Sequence, residues 1–185
     1  MAEIRNLEEA ERWYQRSLEL YLEGDSLGRG DCMAQLGSVA YERFRDAREA
    51  GKPAAELAGH LSRALDLYTQ ALKLFPNNAI NDLAVAHHQL GVIYMNAGKL
   101  DSALAHCRES LGYDESAGNL YGAAQTRRNV ARLLASRGRF ADAREYTVAA
   151  LRNFQTFGEG AKDMVLKALE LIAWIDELVK AESEK

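Results

Sequence analysis

This chain repeats itself, and that repetition limits its folds more than any other property. Laid over 130–151, a shift of 40, residues 90–111 place Leu90 on Val130, Gly91 on Ala131 and Tyr94 on Leu134. Gly98 falls on Gly138, Lys99 on Arg139, Leu100 on Phe140, Ala103 on Ala143 and Leu111 on Leu151. A fixed period of this length marks one supersecondary unit stacked on copies of itself. Leu90, Gly91 and Tyr94 share one face of a first helix. Gly98 ends that helix, because glycine tolerates the left-handed turn a helix stop requires. Leu100 opens a second helix, and Ala103 is small enough to let two helix backbones approach. The unit is an antiparallel helix pair joined by a short turn.

Earlier copies are present. Ala64, Tyr68, Ala71, Leu72 and Pro76 follow the second-helix pattern of Ala103, Cys107, Ser110 and Leu111. Leu36-Gly37 follows Leu90-Gly91, and Ala10, Tyr14, Ser17 and Leu18 make a second helix with no first helix before it. Helices are expected at about 6–23, 27–50, 53–74, 79–97, 100–113, 118–137, 140–157 and 160–182. Only Pro53 and Pro76 occur as breakers in 185 residues, which agrees with an all-α chain.

The spacing has one irregularity. Leu36 to Ala64 spans 28 positions, against 13 from Leu90 to Ala103 and from Val130 to Ala143. The additional segment stays helical in pattern on both sides of Gly51-Lys52-Pro53. It lengthens one hairpin by about two turns per helix, roughly 11 Å at ~1.5 Å per residue. The hairpin is either a plain long hairpin or a contact arm built on Phe44, Arg45, Arg48 and Leu57.

These residues resemble the tetratricopeptide repeat family. That family places a large residue, Leu-Gly and an aromatic on its first helix, and Ala, an aromatic, Ala and Pro on its second. The best matches are Leu90, Gly91, Tyr94, Gly98 and Ala103, and then Ala64, Tyr68, Ala71, Leu72 and Pro76. The resemblance spans roughly residues 6–157. The 40-residue period is similar to the variety in kinesin light chains and in the repeat arms of signal-transduction ATPases. His87 and Arg127 depart from the pattern, standing where the family has large apolar residues. The resemblance implies a right-handed superhelical array of antiparallel helix pairs, an α-solenoid of about eight helices in one domain over 1–185. Its parts are an orphan second helix (6–23), a repeat with the long hairpin (27–76), repeats at 79–113 and 118–157, and a terminal helix (160–182).

Composition narrows the function classes. There are 23 Lys+Arg against 27 Asp+Glu, a net charge of −4, which does not suit a nucleic-acid binder. Charged residues interrupt Val165–Val179, the longest apolar stretch, so no membrane span is expected. The start MAEIRNLEEAE has no apolar core of a secretory leader, and the two cysteines, Cys32 and Cys107, lie 75 residues apart. A cytoplasmic chain without disulfides is the expectation. GKPAAE at Lys52 and GDSLGRGD at Gly24 lack the spacing of phosphate-binding loops. His87 and His88 turn ~100° apart on a helix and do not chelate one metal easily. His87 is expected at a core edge, hydrogen-bonded within its repeat, and Cys107 as a small buried hydrophobe. No nucleophile–base set is found. The chain is expected not to be an enzyme and to carry no cofactor and no metal.

The family resemblance implies that first helices line a concave face where peptides bind. The corresponding positions are Ser38 and Tyr41, then His88, Val92, Met95 and Asn96, then Gln125, Arg128, Arg132 and Ser136. Val92 replaces a clamp asparagine, so chaperone C-terminus binding is not expected. Residues 121–160 hold Arg127, Arg128, Arg132, Arg137, Arg139, Arg144 and Arg152 against Asp142, Glu145 and Glu159. Arg128 and Arg132, four apart, suit an acidic peptide or a carboxylate held by paired N–H donors. The last helix carries Leu171, Trp174 and Leu178 on a second apolar stripe. Both ends look cut from a continuing array. Three readings follow: a non-catalytic module binding a protein segment, a regulatory arm of a larger signalling protein, and a subunit dimerising through the last helix.

Overall fold

The computed structural model describes residues 6–183 and is helical throughout that span apart from short turns. Its helices are α1 (Leu7–Leu20), α2 (Ser26–Glu49), α3 (Ala54–Leu74), α4 (Ile80–Asn96), α5 (Leu100–Ser116), α6 (Leu120–Ala135), α7 (Phe140–Gln155) and α8 (Lys162–Ser183). A 3₁₀ turn, Gly158–Ala161, precedes α8 and was not anticipated. The other boundaries fall within a few residues of the expected ones.

The stops lie where the sequence placed glycine. Gly98 and Gly138 have φ of 71° and 72°. The next amide closes each turn, Lys99 onto the Tyr94 carbonyl at 2.9 Å and Arg139 onto the Leu134 carbonyl at 3.0 Å. The starts of α4 and α5 carry Asp82 and Asp101 in their first turns, without a side-chain cap. The capping side chains are Asn6, Asp25 and Asn119, which accept from the amides of Glu9, Gly28 and Gly122.

Packing follows the chain. α2 packs on α3, α4 on α5 and α6 on α7; each pair then packs on the next, and α8 covers α7. The first helices α2, α4 and α6 also touch in turn, which makes them one continuous inner layer. Each pair closes on the expected small residue. A Cβ on Gly37 would lie 2.8 Å from the Tyr68 ring, and one on Gly91 would lie 2.7 Å from Cys107 Sγ. Cys107 is fully buried, and burial pushes its thiol up to about 11, in keeping with a packing role.

The long hairpin corrects part of the contact-arm expectation. Phe44 is 4% exposed and belongs to the core of α2–α4, and Leu57 packs against the same core. Arg48 lies over the Phe44 ring at 5.2 Å, and Arg45 pairs with Glu42 at 3.0 Å. Apolar and basic residues alternating on a long helix suit either a plain long hairpin or a contact arm. Burial takes Phe44 out of any contact surface, and Arg48 covers its ring with the cation kept in water.

Candidate functional site

The inner layer encloses a polar cavity of about 410 Å³. Eight of the ten sequence-named groove residues line it: Ser38, Tyr41, His88, Val92, Met95, Asn96, Arg128 and Arg132. A second cavity of about 750 Å³ adjoins it and shares Met95, Arg128 and Arg132. Ser136 lines this second cavity together with Lys167, Glu170, Leu171 and Trp174 of α8. Gln125 and Leu178 line neither. Trp174, 44% exposed, thus stands at the groove's edge rather than on a separate outer face.

Several of these side chains hold the groove in shape. Ser38 Oγ and the Tyr68 hydroxyl are 2.6 Å apart. Asn96 joins two helices: its Nδ2 donates to Tyr41 Oη at 3.1 Å and to the Val92 carbonyl at 2.8 Å, and its Oδ1 accepts from Arg48 Nη1 at 2.9 Å. Arg48 is therefore a groove residue. Sequence reasoning had assigned it to the arm because spacing within α2 does not show that the side chain crosses to α4.

Of the seven arginines of 121–160, Arg152 is exposed outside the groove with no ion pair among the described residues, and the other six divide into two groups. Arg127 pairs with Glu115, Arg137 with Asp101, Arg139 with Asp142 and Arg144 with Asp176. Arg128 and Arg132, in the groove, have no carboxylate partner among the described residues. Arg128 is half-buried, and its one hydrogen-bond contact is to Met164 Sδ at 3.5 Å, a weak acceptor. Burial first, and then the Arg132 charge, push its guanidinium below its ordinary range. Glu170 lines the second cavity with them but pairs with neither, and two like charges without an ion pair attract an anion.

The adjacent histidines face apart, as their spacing requires. His87 Nδ1 meets His106 Nδ1 at 3.1 Å within its own hairpin, beneath Tyr94 stacked on His106 at 5.3 Å. His88 points the other way, its Nδ1 2.8 Å from Thr126 Oγ1. Burial, helped by the Arg128 charge, lowers His88 to about 4, so it is neutral at pH 7. Thr126 adjoins buried Ser110, 3.2 Å away, and Ser110 reaches Asp114. Burial raises the Asp114 carboxyl, while hydrogen bonds from Asn119 and Ser110 pull it down. This polar line escaped sequence reasoning. Its signal was present: Thr126 stands at the repeat position of Ala86, and Asp114 at that of Phe154.

Among the described residues no group of three or more His, Cys, Asp or Glu side chains is placed to hold a metal ion. No described helix is long and apolar enough to cross a membrane.

Comparisons with known proteins agree with this architecture. The crystal structure of BtubC (BKLC) from P. vanneervenii superposes with a TM-score of 0.52 at 18% identity, covering 97% of this chain and 93% of that one. At that identity the likeness concerns the fold alone. No curated protein matches the chain. The sequence model described as Tetratricopeptide repeat matches residues 82–156, which run from α4 through α7. Within that span the Leu-Gly and Ala positions pack as helix pairs along the array, so the central part of the chain is similar to tetratricopeptide repeats in both sequence and packing.

Proposed function

We propose that the chain is a non-catalytic interaction module whose concave groove binds an acidic protein segment. The observation that carries this reading is the contrast among arginines. Four outside the groove are neutralised by carboxylates of this chain and the fifth, Arg152, is exposed to solvent, while Arg128 and Arg132 lie without an ion pair where two cavities meet. A partner carboxylate would supply the missing counter-ion through paired N–H donors. The groove is walled by packed helices, so little ordering is needed on its side, and the binding energy is not spent on folding the site.

The test is affinity capture with the native chain and with a double variant, Arg128→Glu with Arg132→Glu, followed by titration of the captured partner. The native bait retains a partner that the variant loses, and its affinity falls as salt rises, because partly exposed charges are screened. A partner held equally by both baits, or one indifferent to salt, rejects the acidic-groove reading.

A further inference from the structure

A line of buried polar groups runs behind the groove floor across three helices. His88 Nδ1 is 2.8 Å from Thr126 Oγ1, which is 3.2 Å from Ser110 Oγ. Ser110 donates to Asp114 Oδ2 across 3.5 Å, the loosest link, and Asn119 Nδ2 donates to Asp114 Oδ1 at 2.7 Å. Ser110 and Thr126 are 0% exposed and Asp114 is 4% exposed. Thr69 and Thr147 spend their hydroxyls on carbonyls four residues back. Thr126 instead meets His88 and Ser110.

The direction of the line follows from proton counting. Each hydroxyl has one proton, and an ionised carboxylate only accepts. Ser110 gives its proton to Asp114, so Thr126 gives its proton to Ser110, and His88 Nδ1 must donate to Thr126. The reverse order would turn the Ser110 lone pairs toward a buried carboxylate oxygen, which low dielectric makes costly. His88 is thus the Nδ1–H tautomer, with its lone pair on Nε2. No described residue hydrogen-bonds Nε2. Among the described residues no buried side-chain nitrogen or oxygen lacks a partner, and His88 lines the polar cavity. Nε2 therefore opens into the groove, beside Arg128.

We propose that His88 Nε2 is a hydrogen-bond acceptor that makes the groove select ligands with an N–H donor next to a carboxylate. The N–H meets His88, and the carboxylate meets Arg128 and Arg132. The proposal rests on the acidic-segment reading and adds what the segment must present. An extended acidic peptide carries this pair, a main-chain N–H beside a side-chain carboxylate. An anion without a donor leaves the Nε2 lone pair desolvated and unmatched. Asp114, Ser110 and Thr126 are positioning residues that fix the tautomer.

Two measurements test this. Long-range ¹H–¹⁵N NMR on the ligand-free chain shows His88 protonated at Nδ1 and bare at Nε2. Thr126→Val and Ser110→Ala each move the population toward Nε2–H. An Nε2–H tautomer in the native chain overturns the proposal. Binding of acetylated, amidated triglutamate is then compared with its N-methylated form. The native chain prefers the unmethylated peptide by about tenfold, the worth of one net hydrogen bond, and His88→Ala removes the preference. Equal affinity of the native chain for both peptides overturns the proposal. If neither peptide binds although the tautomer is as described, the acidic-segment reading fails and the ligand preference falls with it.

Discussion

The long hairpin α2–α3 and the central hairpins α4–α7 solve one packing problem in two ways. Where the first helix offers Gly37, the second offers the ring of Tyr68, 1% exposed. At the corresponding central positions Gly91 meets Cys107, and Ala131 and Thr147 are both fully buried. Where the first helix presents glycine, the second offers either a ring, Tyr68, or a small thiol, Cys107. The consequence appears in the neighbours. The long hairpin is apolar inside apart from the Tyr68 hydroxyl, which meets Ser38. The buried polar residues Ser110, Asp114, Thr126, Asn129 and Thr147 all lie in the central region. Smaller packing residues leave room for hydrogen-bonded groups, and buried polar groups fix one arrangement only when every member is satisfied. The groove residue His88 is oriented by that interior.

The largest expected effect attacks the apolar half. Tyr68→Ala leaves a ring-sized cavity and costs about 3–5 kcal/mol, whereas Cys107→Ala at the central equivalent costs far less. Urea unfolding of both variants measures the difference, and equal losses would erase the contrast.

Acid strikes the other half. His88 has a folded pKa of about 4, below its unfolded value near 6.5, so the unfolded chain binds more protons between those values. Its contribution is intact above about pH 6.5, declines as pH falls and is fully lost below about pH 4. The loss is about 3 kcal/mol. His87 and His106, both lowered chiefly by burial, act in the same direction. Stability measured from pH 7 to pH 4 should fall, and His88→Gln should flatten the curve.

A subtler break is Gly122→Ala. Its Cβ would fall 2.3 Å from Asp114 Oδ1 and press on the carboxylate that anchors the buried line. A cost of about 1–3 kcal/mol is expected by thermal unfolding, with His88 amide and ring signals shifted by NMR. The smallest effect is Arg137→Ala. It breaks a pair with Asp101, which is 94% exposed, and should change stability by less than about 1 kcal/mol. A larger loss would mean that the paired arginines outside the groove are structural.

The fold was legible in the sequence to an unusual degree, for a local reason. Gly98, Gly138 and the apolar spacing around them act within one hairpin, and a repeat displays the same instruction more than once. Groove residues were legible where they share a helix face, as Arg128 and Arg132 do. They were not where the partner lies on another element. Arg48 was placed on an arm, Gln125 was placed in the groove, and the α8 residues Lys167 and Glu170 were not named for it. The N-caps Asn6, Asp25 and Asn119 were missed, because a cap is one residue deep and leaves no periodic trace.

Chain periodicity alone decides that helices form, where they stop and which small residues let them pair, since these depend on neighbours within about one turn. Tertiary structure alone decides that Phe44 is core, that Arg48 reaches Asn96, and that four arginines of 121–160 find carboxylates while Arg128 and Arg132 in the groove do not. It also decides which way a proton line from Asp114 to His88 runs. Each of these depends on side chains from different helices meeting at hydrogen-bond distance, and no spacing along a single helix carries that information.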